Sequence, residues 1–210
     1  AVNEAMREEM TRDEKVFFIG EDIGVYHSGK GPSGVSTDLL KDFGEQRVIE
    51  TPIAESVIVG SGVGAALCGM RPVVEIMHSE FLCHCFEHIC YGGTKGTVTS
   101  NGKTFPLVVR TPFGGVKPGA LVQDENNEAW FNNSPGLKIV IPSTPYDAKG
   151  LMKTAICDDY PVLFMEHKGL YKMQGEVPEE EYYVPIGKAA VRREGKDITV
   201  LTYGNMVWKA

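Results

Sequence analysis

A glutamate stands at the mouth of one of the least charged stretches of this sequence: residues 48 to 56 read VIETPIAES, and after Glu55 and Ser56 comes the run VIVGSGVGAALCG. A carboxyl group at such a junction can do two things. In the first turn of a helix it complements the positive end of the helix dipole. In a dry pocket without a cation beside it, its pKa rises and it can trade a proton with a ligand. A second cluster is FLCHCFEHICY (81 to 91), which sets His84 and His88 at i, i+4 among Cys83, Cys85 and Cys90. The cysteines lack the paired CxxC spacing of zinc sites, so these residues read as the core side of an apolar helix. The glycines at 60, 62 and 64 match a nucleotide fingerprint only loosely. They fall inside a helix and not between strand and helix, and close helix packing accounts for them better. The sequence holds no P-loop, no GxSxG elbow and no GDG motif followed by Asn.

The elements that must position Glu55 follow from periodicity. Val2 to Met10 has helical spacing, VFFIGED (16 to 22) is a strand ending in acids, and STDLLKDFG (36 to 44) is a short helix with a Ser/Thr cap and a Gly stop. VIET is a strand, 55 to 68 a buried helix, PVVEIM (72 to 77) a strand, and Phe81 to Lys95 a helix. PLVVRTP (106 to 112), KIVIPS (138 to 143) and PVLFMEH (161 to 167) are continuous apolar strands of the kind covered on both faces, and 144 to 159 is a capped helix. This alternation predicts an α/β fold, a doubly wound and mostly parallel sheet with helices on both faces. Ligands of such sheets sit beyond the carboxyl ends of strands, which is where VIET delivers Glu55.

Composition narrows the class. With 210 residues and 42% hydrophobic content the chain can bury a substantial core. A net charge of −7 with scattered basic residues excludes the footprint of a nucleic-acid binder, and the longest apolar run, Val57 to Cys68, is too short and glycine-rich to span a bilayer. Five cysteines in apolar surroundings fit a reducing compartment, and no signal-peptide pattern precedes the first element. GEVPEEEYYVPIG (175 to 187) reads as a linker, and AAVRREGKDITVLTYG as a hairpin or the first strand of a further domain. The expected division is residues 1–180 for the main domain and 181–210 for the linker and first strand of a truncated second one. The missing initial Met and the stop just after an expected strand have the form of a fragment.

GEDIG, TPIAE with its glycine-rich helix, GMRPVVEIM, RTPFGG, EAWF, PGLKIVIPSTPYDAKGL and PVLFMEHKGLY occur in this order. Together they resemble the β subunit of the thiamine-diphosphate-dependent component of 2-oxo acid (pyruvate, branched-chain, acetoin) dehydrogenase complexes, a member of the transketolase-like superfamily. The resemblance implies a heterotetramer of two α and two β subunits, with the α subunit holding the diphosphate and Mg²⁺ and the β subunit holding the pyrimidine. It further implies a dihydrolipoyl acyltransferase core as partner, a 2-oxo acid as substrate, and a bacterial cytoplasmic or mitochondrial matrix location. Glu55 corresponds to the glutamate that faces the aminopyrimidine nitrogen, shares its proton and so favours the imino tautomer that deprotonates the thiazolium. Phe81, six positions after Glu75, corresponds to the aromatic that stacks on the pyrimidine, with ordinary core packing as its alternative. Met77 and His78 fall on the same turn, Met77 as a cofactor contact and His78 as a substrate-pocket residue. A K⁺ ion held by backbone carbonyls between Ala155 and Asp158 is a further possibility of the family.

The departures from the family pattern concern acyl transfer. Gln123, seven positions before Trp130, and Asn133, three after it, stand where the family carries histidines. Gln donates hydrogen bonds but cannot become cationic or shuttle a proton. HSGKGPSG (27 to 34) and YGGTKGTVTSNG (91 to 102) also differ from the family. Two alternatives therefore remain beside the dehydrogenase: a related enzyme without a lipoyl partner, and a catalytically idle scaffold subunit.

Overall fold

The computed structural model describes residues 1–25, 31, 33–93, 95–96, 101–102, 105–115 and 125–210. Six parallel strands form a single sheet in the order β2-β1-β3-β4-β6-β5. They are β1 (Val16–Glu21), β2 (Val48–Thr51), β3 (Arg71–Glu75), β4 (Val108–Phe113), β5 (Lys138–Val140) and β6 (Val162–His167). Because side chains alternate across a strand, each apolar run feeds two cores. Val16 and Phe18, Val73, Val108, Val162 and Phe164 pack with Met6, Met10, Leu39, Met152 and Ile156. These last five come from α1 (Val2–Arg12), α2 (Leu39–Phe43) and α4 (Pro145–Cys157). Phe17, Ile19, Val74, Val109, Leu163 and Met165 face the other way, onto Ile58 and Val59 of α3 (Glu55–Leu67) and onto Leu82 and Ile89. Burying Ile58 and Val59 is worth about 1.5–3 kcal/mol each, so α3 is clamped onto the sheet.

The doubly wound parallel sheet is as expected, and three local expectations need correction. The helix expected over Phe81 to Lys95 is a 3₁₀ helix over Ser79–Cys85 followed by a π-helical turn over His88–Gly93. The short α2 starts from Asp38 in the left-handed region (φ 61°) without a side-chain cap, so neither Ser36 nor Thr37 plays that part; Gly44 (φ 76°) ends it as expected. Residues 188–203 form no strand or hairpin and run exposed, leaving Ile198, Val200 and Leu201 open to solvent. The linker, by contrast, is docked: the Val184 N–H donates to the Gly150 carbonyl at 3.2 Å, the Thr154 hydroxyl donates to the Val184 carbonyl at 2.7 Å, and Tyr182 stacks on Tyr146. A Cβ at Gly150 would come within 2.5 Å of Val184, so only glycine permits this approach.

The glycines of α3 divide by face. A Cβ at Gly62 would lie 2.5 Å from Val74 Cγ1, so Gly62 serves close packing on the chain's own sheet. Gly64 meets nothing and belongs to the outer face, where Ser56, Val57, Ser61, Leu67 and Cys68 are exposed. The helix expected to be buried is thus buried on one side only.

Candidate functional site

Connections leave β1 toward β2 over one face of the sheet and leave β3 toward β4 over the other, which makes a crevice at their carboxyl ends. Glu21 ends β1, Glu55 opens α3 directly after β2, and the 3₁₀ helix follows β3. Glu55 is 8% exposed at the uncapped N-terminus of α3, where the helix dipole favours a negative charge. Among the described residues no Lys or Arg pairs with it; the one ion-pair contact is His84, whose Nδ1 lies 3.6 Å from Glu55 Oε2. The surroundings are acidic. Burial first, then the charges of Asp22 and Glu55, push the Glu21 carboxyl above its usual range. Burial, followed by the charge of Glu55, pushes the Cys85 thiol up to about 12, so Cys85 is a core thiol and not a nucleophile at neutral pH.

The 3₁₀ helix explains the aromatic side of the crevice. With three residues per turn, positions i and i+3 eclipse. His78, Phe81 and His84 therefore line up: the His78 and Phe81 rings are T-shaped at 5.8 Å and 85°, and His84 lies nearly parallel to Phe81 at 5.9 Å and 18°. His78 Nδ1 is 3.3 Å from Lys168 Nζ, which ties this row to the end of β6. The Ser56 hydroxyl donates to the His84 carbonyl and pins that backbone to α3. Met77 is half-buried immediately before His78. The structure thus brings Glu55, Phe81, Met77 and His78 to one end of the sheet. His84, expected in the core, is 58% exposed at its side chain and joins Phe81 to Glu55. Its signal in the sequence was the i, i+3 series 78-81-84, which a helix of 3.6-residue period hides.

Other expected positions fall elsewhere. Gln123 lies outside the described residues, and Asn133 is exposed. Ala155 is buried in the last turn of α4, and the carbonyls of Ile156 and Asp158 accept hydrogen bonds from Arg71 Nη1 at 3.1 and 3.2 Å. A guanidinium already supplies positive charge at the place proposed for K⁺.

Sequence reasoning passed over a second constellation. Arg110, fully buried on β4, donates through Nε and Nη2 to both oxygens of Glu166 at 2.6 and 2.8 Å, and through Nη1 to Glu75. Ser33 Oγ and Tyr171 Oη stand 3.3 and 3.1 Å from its Nη2. The Tyr171 ring is partly exposed, but its hydroxyl reaches this buried group, and burial with the nearby Glu166 charge holds the phenol well above its ordinary pKa. A cavity of about 570 Å³ opens above this group on the α1 and α4 side, bounded by Ser33, Val35, Thr144, Glu166 and Tyr171. Its ionic floor is saturated by hydrogen bonds, so the cavity offers less chemistry than the crevice at Glu55.

Comparison with known proteins identifies the family and the fold. Residues 1–174 match the family described as the pyrimidine-binding domain of transketolase. The chain is 52% identical over 206 residues to the 2-oxoisovalerate dehydrogenase subunit beta of Bacillus subtilis (strain 168), covering 97% of this chain and 62% of that protein. It is 47% identical over 207 residues to the pyruvate dehydrogenase E1 component subunit beta of Porphyra purpurea, covering 98% of this chain and 62% of the relative. The chain therefore spans less than two thirds of these relatives. Among solved structures, a split-gene transketolase described as an inactive beta4 tetramer superposes with a TM-score of 0.77 at 20% identity, over 99% of this chain and 62% of that one.

Proposed function

The chain belongs to the family of the transketolase pyrimidine-binding domain, and from that membership we propose that it is the pyrimidine-binding part of the β subunit of a thiamine-diphosphate-dependent 2-oxo acid dehydrogenase. The observation that carries this reading is the pairing of a buried carboxyl group with an aromatic ring: Glu55 and Phe81 both already lie beside one flat nitrogen heterocycle, the imidazole of His84. An aminopyrimidine needs the same two contacts, a ring face and a carboxyl group at its nitrogen. Glu55 would hold and return a proton at that nitrogen, and Phe81 would fix the ring plane with little polar cost. Met77 and His78 would border the ring, with Lys168 orienting His78. Thiamine diphosphate, when bound, supplies the electron sink for decarboxylation, while the protein's part is orientation and proton management.

We assign the diphosphate and Mg²⁺ to an α partner carrying the GDG motif that this sequence lacks. The outer face of α3 supports such a partner: Val57 is 63% and Ile53 75% exposed beside Glu55. Apolar surface next to a catalytic carboxylate fits a site completed by a second chain. A dihydrolipoyl acyltransferase core and a reducing compartment complete the proposal, the latter supported by five free cysteines. A K⁺ ion at Ala155–Asp158 would have to displace Arg71 and is left out of it. Gln123 and Asn133 in place of histidines favour a second reading, a thiamine-diphosphate enzyme that does not acylate a lipoyl group. The test is co-purification with a GDG-bearing α subunit, followed by decarboxylation assays over a panel of 2-oxo acids, with and without a lipoyl domain. Turnover is expected only from the assembled pair. Tight cofactor binding by this chain alone, or an assembled pair inert toward every 2-oxo acid, would sink the reading. Decarboxylation without lipoyl acylation would select the second one.

A further inference from the structure

An incoming ring bound for Glu55 and Phe81 would meet His84, which lies beside both. Its imidazole lies nearly parallel to Phe81, with ring centroids 5.9 Å apart and 18° between planes, and turns Nδ1 to 3.6 Å from Glu55 Oε2. We propose that His84 is a built-in competitor for the Phe81–Glu55 shelf, making with its own ring the two contacts an aminopyrimidine requires and leaving them only when that ring seats. The inference rests on the proposed function and deepens it by giving the site an occlusion device.

The local construction suits a side chain that swings. The Ser56 hydroxyl holds the His84 backbone through its carbonyl, and Leu82 and Cys85 on either side are fully buried, so the Cα is fixed. The imidazole itself is 58% exposed and can rotate into solvent about its first side-chain torsion. Neither of its contacts is strong: a 3.6 Å separation exceeds a good hydrogen bond, and an exposed ring pair adds little beyond contact area. His78 does not compete in this way. Its ring stands at 85° to Phe81, not parallel to it, and its Nδ1 is 3.3 Å from Lys168 Nζ and does not contact Glu55.

Two measurements decide the matter. In proton NMR of the chain alone, the His84 ring protons should be shifted upfield by the Phe81 ring, and Phe81→Leu should abolish the shift; His84 signals indifferent to Phe81 would overturn the proposal. In calorimetry with thiamine diphosphate and Mg²⁺ on the chain assembled with its α partner, His84→Ala should bind the cofactor about threefold to tenfold more tightly, the scale of one exposed ring contact plus one weak polar contact. Phe81→Leu should bind it more weakly. Equal or weaker binding by His84→Ala, with binding otherwise intact, would remove this inference alone. Absence of binding by every assembled protein would remove the proposed function, and the inference with it.

Discussion

Two groups of carboxylates sit beside the same sheet and are treated in opposite ways. At Arg110, two glutamates from the neighbouring strands β3 and β6 converge on one guanidinium that is wholly removed from water. At Glu55, an acid on a helix start has an exposed imidazole 3.6 Å away, and its charge, after burial and together with that of Asp22, helps raise the Glu21 carboxyl. The first group is saturated and dry, which fixes strands in place but leaves nothing to react. The second has few partners and lies close to the surface, which leaves its carboxylate open to a ligand. Loss of the shared guanidinium should therefore destabilise the first group, and loss of the carboxylate should disable the second.

The largest separation is expected from Glu55→Gln. In the assembled complex it should lower exchange of the cofactor's C2 proton, followed by NMR in deuterium oxide, about a hundredfold to ten-thousandfold. Its urea midpoint should stay close to that of the natural chain, since side-chain volume is kept and only the first-turn charge on the helix dipole is lost. An unchanged exchange rate would break the contrast at its functional end. Arg110→Met should do the reverse. It strands Glu75 and Glu166 in the core, a cost of about 3–5 kcal/mol read from the shift in the urea midpoint. If that variant does not fold, adding Glu75→Leu and Glu166→Leu should restore folding, because an apolar replacement of the whole group avoids the unpaired charges. A stable Arg110→Met chain would show that the guanidinium is not what holds β3, β4 and β6 together.

The comparison also shows what a sequence displays and what it conceals. The strands could be read because each is an apolar run feeding two cores, and Glu55 because an acid interrupts otherwise uncharged sequence just after a strand. The ionic group left a weaker trace: Glu75, Arg110 and Glu166 each lie two residues beyond a buried strand residue of one face, Val73, Val108 and Phe164. Parity alone allows them a common face, but their meeting also needs the strand order β3-β4-β6, which no local pattern encodes. The segment after β3 misled for another reason. Apolar residues at 82, 85 and 89 satisfy an α-helical period, while the chain takes a 3₁₀ helix and then a π turn. Only the tighter helix aligns His78, Phe81 and His84, so the role of His84 could not be read until that geometry was known. Residues 188–203 have the alternation of a strand, yet alternation creates no strand without a neighbour to receive its hydrogen bonds.

The smallest expected effect is the most discriminating within the ionic group. Glu166 holds both forks of Arg110, whereas Glu75 receives one nitrogen and is the carboxyl that burial, and then the charge of Glu166, push above the ordinary value of 4.5 against the pull of Arg110. A carboxyl whose pKa is raised on folding binds its proton more tightly in the native state. Stability from that term is present at low pH and is lost as pH rises from about 4.5 through the raised native value. Glu75→Gln removes the titration and keeps the shape. Relative to the natural chain, the variant should therefore gain stability as pH increases from 4.5 toward neutrality, by at most about 1.4 kcal/mol per pH unit, and its urea midpoint should end near or above the natural one. The corresponding Glu166→Gln exchange breaks the bidentate pair and should cost more at neutral pH. Should the natural chain instead gain on Glu75→Gln as pH rises, Glu75 would be an ordinary ionised partner of Arg110, and the saturated group would owe its stability to both carboxylates equally.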